Sequence, residues 1–403
     1  MERGDVARST PEEHREVSVP IAAYHRFSQA RQRSGGWRQL RTIGPSQGGR
    51  TEVAGREVLN FSSNNYMGLA SHPALVQRAM AWSERWGVGA TASRLVCGNL
   101  ALFEPIEAKL RQGKGTEAAL VFNAGFQANS TILAALLDQA VLGGEPLLFA
   151  DRLNHASLHH GCQAAGVRQL RYRHNDLNHL EHLLKKHALQ AGPRFIVSET
   201  VFSMDGDRCD LAGLLALKER YGAFLYLDEA HATGVLGANG FGLAADHPGQ
   251  VDLVMGTFSK GLGGFGAYVC CSELLKGYLV NRCAGFIYST ALPPGVLGAM
   301  DAALELLPAM AGERQRLQQG AAEVRRAWRG LDTGLSSTQI IPLLLKTEQE
   351  ALAMSQRLEL AGILAVAIRP PTVPAGGSRI RFSLTALHSE QDLRYLVETV
   401  LDL

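Results

Sequence analysis

The sequence predicts an α/β protein. A large, mostly parallel, seven-stranded sheet is covered by helices on both faces, and a smaller α+β domain follows it. Two observations carry this. Between about residues 72 and 295, short continuous apolar runs alternate with longer segments of helical periodicity, as expected of strands buried on both faces. From about residue 296 the texture changes to long helices separated by a few strand-like runs. The length of 403 residues and the 46% hydrophobic content allow two domains, or one large domain with an appendage, and a sizeable core. The division is an N-terminal segment (1–60), a large domain (61–295) and a C-terminal domain (296–403).

In chain order, the first twenty or so residues are polar and charged, with Ser9–His14 expected to be irregular. A helix is expected over Ile21–Arg33, broken by Ser34-Gly-Gly36, with an extended lead-in from Trp37 to Arg41. Val58–Phe61 reads as a strand and Ser62–Leu69 as a turn. The polar run Ser62–Asn65 is either a plain loop or a set of side-chain amides aimed at a ligand. His72–Trp86 and Leu102–Gln112 read as helices flanking a glycine-punctuated loop, Gly87–Gly98. The seven strands are expected at Ala118–Phe122, Pro146–Ala150, Gln169–Tyr172, Phe195–Ser198, Ala223–Leu227, Leu253–Gly256 and Ala267–Cys271. Helices are expected at Ser130–Leu137, Leu177–His187 and Leu211–Tyr221. In the C-terminal domain, helices are expected at Val296–Leu307, Ala311–Leu331, Gln349–Ala361 and Ser389–Val400. Strands are expected at Thr338–Lys346, Ile363–Ile368 and Arg379–Leu384, with a stiff proline-rich loop at Arg369–Gly377.

Composition removes several classes of function. A net charge of +2 gives no attraction to nucleic acid or to a membrane surface. The six cysteines form no C-x-x-C pair, so neither a zinc site nor a disulfide framework is expected, and free thiols fit a reducing compartment. No apolar signal core or membrane-length run is present, so a cytoplasmic location is expected.

Chemistry is concentrated in Val251–Gly266. An apolar run ends in Gly256 and Thr257; Lys260 follows, with glycines at 261, 263, 264 and 266. A surface lysine needs no such surroundings. A lysine that must bond covalently to a flat cofactor does, because backbone and ring approach closely. Lys260 is therefore read as the Schiff-base lysine of a pyridoxal 5′-phosphate enzyme. Gly261-Leu-Gly-Gly-Phe-Gly266 formally matches a dinucleotide fingerprint, but it runs into a strand rather than opening a helix. Asp228-Glu-Ala-His231 spells a helicase box. That box requires a phosphate loop, and the nearest stretch, Gln112-Gly-Lys-Gly-Thr116, lacks the upstream glycine and the final Ser or Thr.

In parallel sheets ligands sit beyond the carboxyl ends of the strands. After the first strand, Asn123–Asn129 forms a glycine turn leading into a helix: an ordinary connection, or a phosphate site built from free N–H groups and the helix dipole. After the second, His155 and His159 stand four apart, but no third ligand or H-E-x-x-H spacing accompanies them. No metal is expected, and His155 is read as a ring stacked on a flat cofactor. Asp228, directly after an apolar strand, is either a cap or the acid that keeps the pyridine nitrogen protonated, with His231 in reach of the phenolic oxygen.

With these residues in view, the chain resembles the α-oxoamine synthases, fold-type I pyridoxal phosphate enzymes. The resemblance runs from about Leu59 to the C-terminus. It rests on Asn60–Tyr66, Asn154-His-Ala-Ser157, Val201–Asp207, Asp228–His231, Thr257-Phe-Ser-Lys-Gly261 and Tyr288-Ser-Thr290. Within the family, Ala367–Pro374, Arg379-Ile-Arg381 and Thr385–His388 are similar to the branch that condenses L-alanine with a pimeloyl thioester, carried on coenzyme A or acyl carrier protein. The resemblance implies catalytic roles for Lys260, His155, Asp228 and His231. It places Ser203 near the phenolic oxygen and gives Gly125, Phe126 and Thr257 the phosphate. It implies a homodimer with shared sites, Thr290 reaching the partner's phosphate. Arg369 would meet the substrate carboxylate with Asn64 nearby, and Arg38 would lie near the acyl donor.

The chain departs from familiar members in its first twenty residues and in the bulky Arg94-Leu95 of the Gly89–Asn99 loop, which the resemblance puts near the acyl chain. Another α-oxoamine synthase using glycine or serine is the main rival expectation. An aminotransferase on the same fold, and a catalytically dead regulatory subunit, are the others.

Overall fold

The computed structural model describes residues 19–33 and 36–403. The irregular stretch expected at Ser9–His14 and the break at Ser34 and Gly35 lie outside the described residues. The described residues up to Gly44 and residues 45–403 form separate compact units. In the first, the helix Val19–Arg33 carries Arg31 and Arg33 in its last turn, cations suited to the carbonyl end of a helix. Gly36 N donates to Arg31 O at 2.8 Å.

In the second unit, three sheets are built from β1 (Ile43–Gln47), β2 (Arg50–Val53), β3 (Arg56–Asn60), β4 (Ala118–Phe122), β5 (Leu147–Asp151), β6 (Gln169–Tyr172), β7 (Arg194–Glu199), β8 (Ala223–Asp228), β9 (Leu253–Thr257), β10 (Ala267–Cys271), β11 (Ile340–Leu344), β12 (Ile363–Leu364), β13 (Ala367–Ile368) and β14 (Arg379–Ser383). The large sheet has the order β4-β10-β9-β8-β7-β5-β6. Its strands are apolar because both faces are covered. Leu253, Val254 and Met255 of β9 are each at most 2% exposed, which contributes roughly 1.5–3 kcal/mol apiece. On one side the helix Gly125–Leu136 packs against the helix Ala156–Ala164. The helices Pro73–Trp86 and Pro294–Leu306 pair with each other around a second core that includes Phe61, Phe103 and Phe258.

The strands β5 to β9 are parallel neighbours, whereas β10 runs antiparallel to both β9 and β4. The cause is the short connection: residues 258–266 separate β9 from β10, and a parallel crossover needs about a dozen residues or more. β4 therefore points the same way as β5 to β9, so their carboxyl ends share one edge.

Elsewhere the structure adjusts the expected elements. The helix expected at Ser130 begins at Gly125, which brings its N-terminus to the end of β4. The single strand expected over Ile363–Ile368 is two: β12 pairs in parallel with β3, and β13 pairs antiparallel with β14. One apolar run thus serves two sheets; in the first of them, β1-β2-β3-β12, the strands not expected were β1 and β2. The loop Gly87–Gly98 closes with a π-helical turn, Arg94–Gly98. A Cβ on Gly98 would meet Ala92 O at 2.1 Å, so this turn requires glycine. Among the described residues, no single helix is long and apolar enough to cross a membrane.

Candidate functional site

Five strand ends converge on a cavity of about 160 Å³. β4 delivers Gly125 and Phe126, the loop after β5 delivers His155, β7 ends in Glu199, β8 in Asp228, and β9 leads through Thr257 and Ser259 to Lys260. The first i→i−4 bond of the helix after β4 runs from Ala128 N to Ala124 O. The amides of Gly125, Phe126 and Gln127 thus precede the helical ladder and face outward, an anion cradle at the positive end of the dipole. Gly125 has open space there: an added Cβ would meet only Met255 Cε, at 3.9 Å.

One amide sets the floor. Asn129 accepts from Tyr226 OH at 2.7 Å and donates through Nδ2 to Asp228 Oδ2 at 2.7 Å and Ser157 Oγ at 2.9 Å. The Ser157 hydroxyl in turn meets His155 Nδ1 at 2.7 Å, and Ser157 N donates to the same nitrogen at 3.2 Å. Nδ1 of His155 is therefore an acceptor, and in the neutral ring the proton sits on Nε2. The second oxygen of Asp228 accepts from Ala230 N at 2.8 Å, so the carboxylate is held from two sides. Glu199 accepts from His155 N. Burial, and then the Asp228 charge, hold its carboxyl well above the usual carboxylate range.

Lys260 Nζ lies 2.8 Å from His231 Nε2, and His231 Nδ1 lies 2.7 Å from Tyr66 OH. Burial, helped by the Lys260 and Arg381 charges, pushes the imidazole far below its ordinary pKa, so the ring is neutral. Tyr66 OH donates to Asn64 Oδ1 at 2.9 Å. The consistent assignment has His231 donating from Nδ1 to the Tyr66 oxygen and accepting from Lys260 at Nε2. Burial also pushes the Lys260 amine down to about 8, against the opposing pull of Asp228 and Glu199.

The glycines beside Lys260 are explained by packing. A Cβ on Gly261 would meet Thr233 O at 2.5 Å, and one on Gly263 (φ +66°) would meet Ala70 N at 2.3 Å. The turn carrying His231 lies directly against Gly261, which is what brings imidazole and amine together.

Of the residues singled out in the sequence, Gly125, Phe126, His155, Asp228, Thr257 and Lys260 line the one cavity, and His231 and Asn64 form the chain leading from Lys260. Thr257 is buried beneath the cavity. Its hydroxyl donates to Gly266 O at 2.7 Å, accepts from Ser259 N at 3.2 Å and lies 2.7 Å from Ser259 Oγ, so it braces Ser259, which also lines the cavity. Ser203 enters through its carbonyl, which accepts from Arg381 Nε at 2.5 Å. Thr290 is exposed, and its carbonyl is held by Asn123 Nδ2 at 2.7 Å just past β4. Arg369 stands half-buried at the end of β13, before the cis Pro370–Pro371 bond. Arg38 belongs to the other unit, where its side chain is exposed.

Sequence reasoning missed Asn129, Glu199 and Arg381. Arg381 also donates to Ser383 Oγ at 2.6 Å and to Asn64 Oδ1 and Tyr66 OH at 3.2 Å each. A signal existed: Arg379, Arg381 and Ser383 alternate along a wholly buried strand, which puts three polar side chains on one inward face. Arg94, of the bulky pair in the Gly89–Asn99 loop, points inward. Its guanidinium lies 4.0 Å from the Phe103 ring centre, donates to Asn99 Oδ1 at 2.8 Å and pairs with Glu107, so it anchors the loop inward. Leu95, Val96 and Cys97 are the exposed side chains of that turn.

The donor set fits pyridoxal 5′-phosphate. The cradle at Gly125–Gln127 suits a dianion, Asp228 suits a ring nitrogen, His155 a flat face and Lys260 an aldehyde carbon. Among the described residues no group of three or more His, Cys, Asp or Glu could hold a metal ion.

A sequence model of the family "aminotransferase class I and II" matches residues 56–400. A Magnetococcus marinus relative is 67% identical over 386 residues, covering 95% of this chain and 98% of the relative. The Gluconacetobacter diazotrophicus 8-amino-7-oxononanoate synthase is 58% identical over 353 residues (86% and 88% covered), and that of Geobacter sulfurreducens 48% over 367 residues (90% and 92%). Among solved structures, a serine palmitoyltransferase from S. paucimobilis with a bound PLP–myriocin aldimine superposes with a TM-score of 0.86 at 27% identity, covering 96% of this chain and 97% of that one. An 8-amino-7-oxononanoate synthase from Francisella tularensis superposes at 0.72 and 26%, covering 86% and 97%.

Proposed function

From the premise that this chain belongs to the class I and II aminotransferase family, and within it to the 8-amino-7-oxononanoate synthases, we propose that it joins L-alanine to a pimeloyl thioester, releasing CO2 and the free thiol carrier. The product is 8-amino-7-oxononanoate, on the route to biotin. The observation that carries the reading beyond its relatives is the convergence of Lys260, Asp228, His155 and the Gly125–Gln127 amides on one cavity.

Pyridoxal 5′-phosphate, when bound, supplies an aromatic ring that takes up the electron pair left at the α-carbon of an amino acid. Asp228, fixed by Asn129 and Ala230 N, holds the proton on the ring nitrogen. His155, its Nδ1 occupied by Ser157, covers one ring face. Gly125, Phe126 and Thr257, with Ser259 beside it, hold the phosphate. His231 serves the phenolic oxygen, with Ser203 close to it through Arg381. Lys260, a neutral amine for a good part of the time near pH 8, moves the α-proton as general base. Arg381 and Asn64, already joined to each other and to Tyr66, offer a fork and an amide to the amino-acid carboxylate. Arg369 meets the same carboxylate, and Arg38 lies near the acyl donor.

We place the protein in the cytoplasm as a homodimer and keep the division at residues 60/61 and 295/296. The seven-stranded sheet falls within 61–295 and the three-stranded sheet β11-β14-β13 within 296–403. A second reading has one specific support: the serine palmitoyltransferase superposes better than the 8-amino-7-oxononanoate synthase structure, at similar identity. On that reading the amino acid is serine and the acyl chain longer.

The test is thiol release by the pyridoxal-phosphate-loaded protein given pimeloyl-CoA with L-alanine, glycine or L-serine in parallel. Release with alanine alone is expected. Release with serine or glycine alone would transfer the protein to a sister branch, and keto-acid-dependent amino transfer without thiol release would make it an aminotransferase.

A further inference from the structure

Outside the residues that line the cavity lies a largely buried cluster that the reaction does not use directly. His174, just past β6, has both ring nitrogens on carboxylates: Nδ1 lies 3.0 Å from Asp151 Oδ1 and Nε2 lies 2.9 Å from Asp207 Oδ2. Asp151 is fully buried and Asp207 is 4% exposed. A neutral imidazole has one N–H, whereas a carboxylate can only accept, so a ring between two carboxylates must donate twice and is an imidazolium. The next residue completes the fit. Asn175, at φ +51°, donates its N–H to Asp151 Oδ2 at 2.9 Å and its side-chain amide to Asp207 Oδ2 at 2.5 Å. The ring also stands edge-on to Phe202, with centroids 4.3 Å apart.

Each carboxylate belongs to a turn that carries a site residue. Asp151 ends β5 and accepts from Leu153 N at 2.8 Å, and Asp151 O accepts from Asn154 N, which shapes the turn that presents His155. Asp207 closes the turn Val201–Asp207 through Phe202 N to Asp207 O at 3.1 Å, and that turn presents the Ser203 carbonyl to Arg381. We propose that His174 is a positioning residue: its imidazolium clamps the His155 turn to the Ser203 turn and so sets the distance between the face of the cofactor site and its Arg381 side. This rests on the roles proposed above for His155 and Ser203.

The neighbouring titratable groups do not compete for the charge. Burial pushes the Tyr172 hydroxyl and the Cys209 thiol up, so both stay neutral, and burial likewise holds the Glu199 carboxyl above its usual range. The cluster therefore carries two negative charges and one positive. Replacing the ring by an amide leaves two facing carboxylates with no cation, which is tolerable only when they share a proton.

The test compares wild type, His174→Gln and the double variant His174→Gln/Asp207→Asn, purified with pyridoxal 5′-phosphate. Cofactor dissociation constant, visible circular dichroism of the bound cofactor, and kcat and KM for alanine are followed from pH 6 to pH 9. His174→Gln is expected to bind the cofactor about tenfold more weakly at pH 8.5, the scale of losing a supporting hydrogen-bond partner in other ligand sites. The deficit is expected to shrink toward pH 6 as a shared proton replaces the imidazolium. The double variant is expected to recover most of the affinity and to lose the pH slope. A pH profile and dichroism in His174→Gln that superimpose on wild type would overturn the proposal, as would a double variant no better than the single. If His174→Gln does not accumulate as folded protein, recovery of folded holoenzyme in the double variant supports the clamp, and failure of both overturns it. Wild-type thiol release with alanine, measured alongside, keeps a failure of the reaction assignment distinct from a failure of the clamp.

Discussion

At the scale of single residues, the site is tuned by burial more than by any one charge. Lys260 is pushed down to about 8 by burial, in spite of Asp228 and Glu199, while His231 is driven so far down that it stays neutral beside it. The apoprotein should therefore capture pyridoxal 5′-phosphate at a rate that rises with pH about a midpoint near 8. Stopped-flow absorbance checks this, and a midpoint at the ordinary lysine value would remove the neutral-amine argument. The sign for stability is the reverse of a salt-bridged group. Between about 8 and the unfolded lysine value the unfolded chain holds the proton more tightly, so this residue's contribution to apoprotein stability rises with pH across that window. Asn129 gives a second prediction. Asn129→Ala removes the donor to both Asp228 and Ser157 and leaves Tyr226 OH unpaired, at about 1–3 kcal/mol of stability. It should also lower kcat more than the KM for alanine, because it disturbs the ring acid and not the carboxylate partners. At this scale the sequence showed what bonds to a cofactor and hid what aims those groups. Lys260, Asp228 and His155 follow strands and sit in recognisable company. Asn129 is one amide in the middle of a helix, and only the fold shows that it faces Asp228 across a distance of 99 residues.

At the scale of elements, two stretches that mimic other functions turn out to be halves of one interaction. Lys114, from the failed phosphate loop at the end of the helix Phe103–Lys114, pairs with Glu229, from the failed helicase box after β8. The two side chains are 1% and 0% exposed, and Glu229 also accepts from Ala244 N at 3.0 Å. The pair ties a helix end to the turn between Asp228 and His231. Lys114→Met leaves a buried carboxylate alone and should cost about 3–5 kcal/mol in urea unfolding. Lys114→Met/Glu229→Leu should regain much of that loss, since a buried pair is often replaceable by apolar side chains. If the single variant is no less stable than wild type, the pair is not holding the turn. The His174 clamp works at the same scale with a pH signature of its own. Its pKa is raised to about 10, so its contribution is complete below the ordinary histidine value and is lost as pH rises toward 10. Urea unfolding of the wild type at successive pH values should show this contribution fading over that range. Elements were legible where periodicity alone decides them, as in the five buried residues of β9. They were not legible where pairing decides. The run from Ile363 to Ile368 reads as one strand because nothing local says that its two halves bond to different partners.

At the scale of the whole molecule, the parallel sheet was readable from alternation, but the direction of β10 and the way separate edges meet were not. The unanswered surface is the one beside the phosphate cradle. Phe126 is 51% exposed at the cradle itself, and Tyr288 is 83% exposed two residues from Thr290. The Arg94 anchor turns Leu95 and Val96 outward, and the bridge between Ser93 and Thr290 holds that loop beside Thr290. Apolar side chains gathered around an anion site are costly to leave in water, and a two-fold copy of the same surface would cover them. If Thr290 then serves the partner's phosphate, each site needs Lys260 from one subunit and Thr290 from the other. Subunits carrying Lys260→Ala and subunits carrying Thr290→Asp should each be inactive alone, the first for want of the amine and the second because an acid faces the phosphate. In a hybrid dimer one site combines both defects and the other combines both intact residues. Refolding an equal mixture should therefore restore about a quarter of wild-type activity, since half of the dimers are hybrids with one good site of two. If Thr290 acts within its own subunit, every site in the mixture retains one defect and no activity returns.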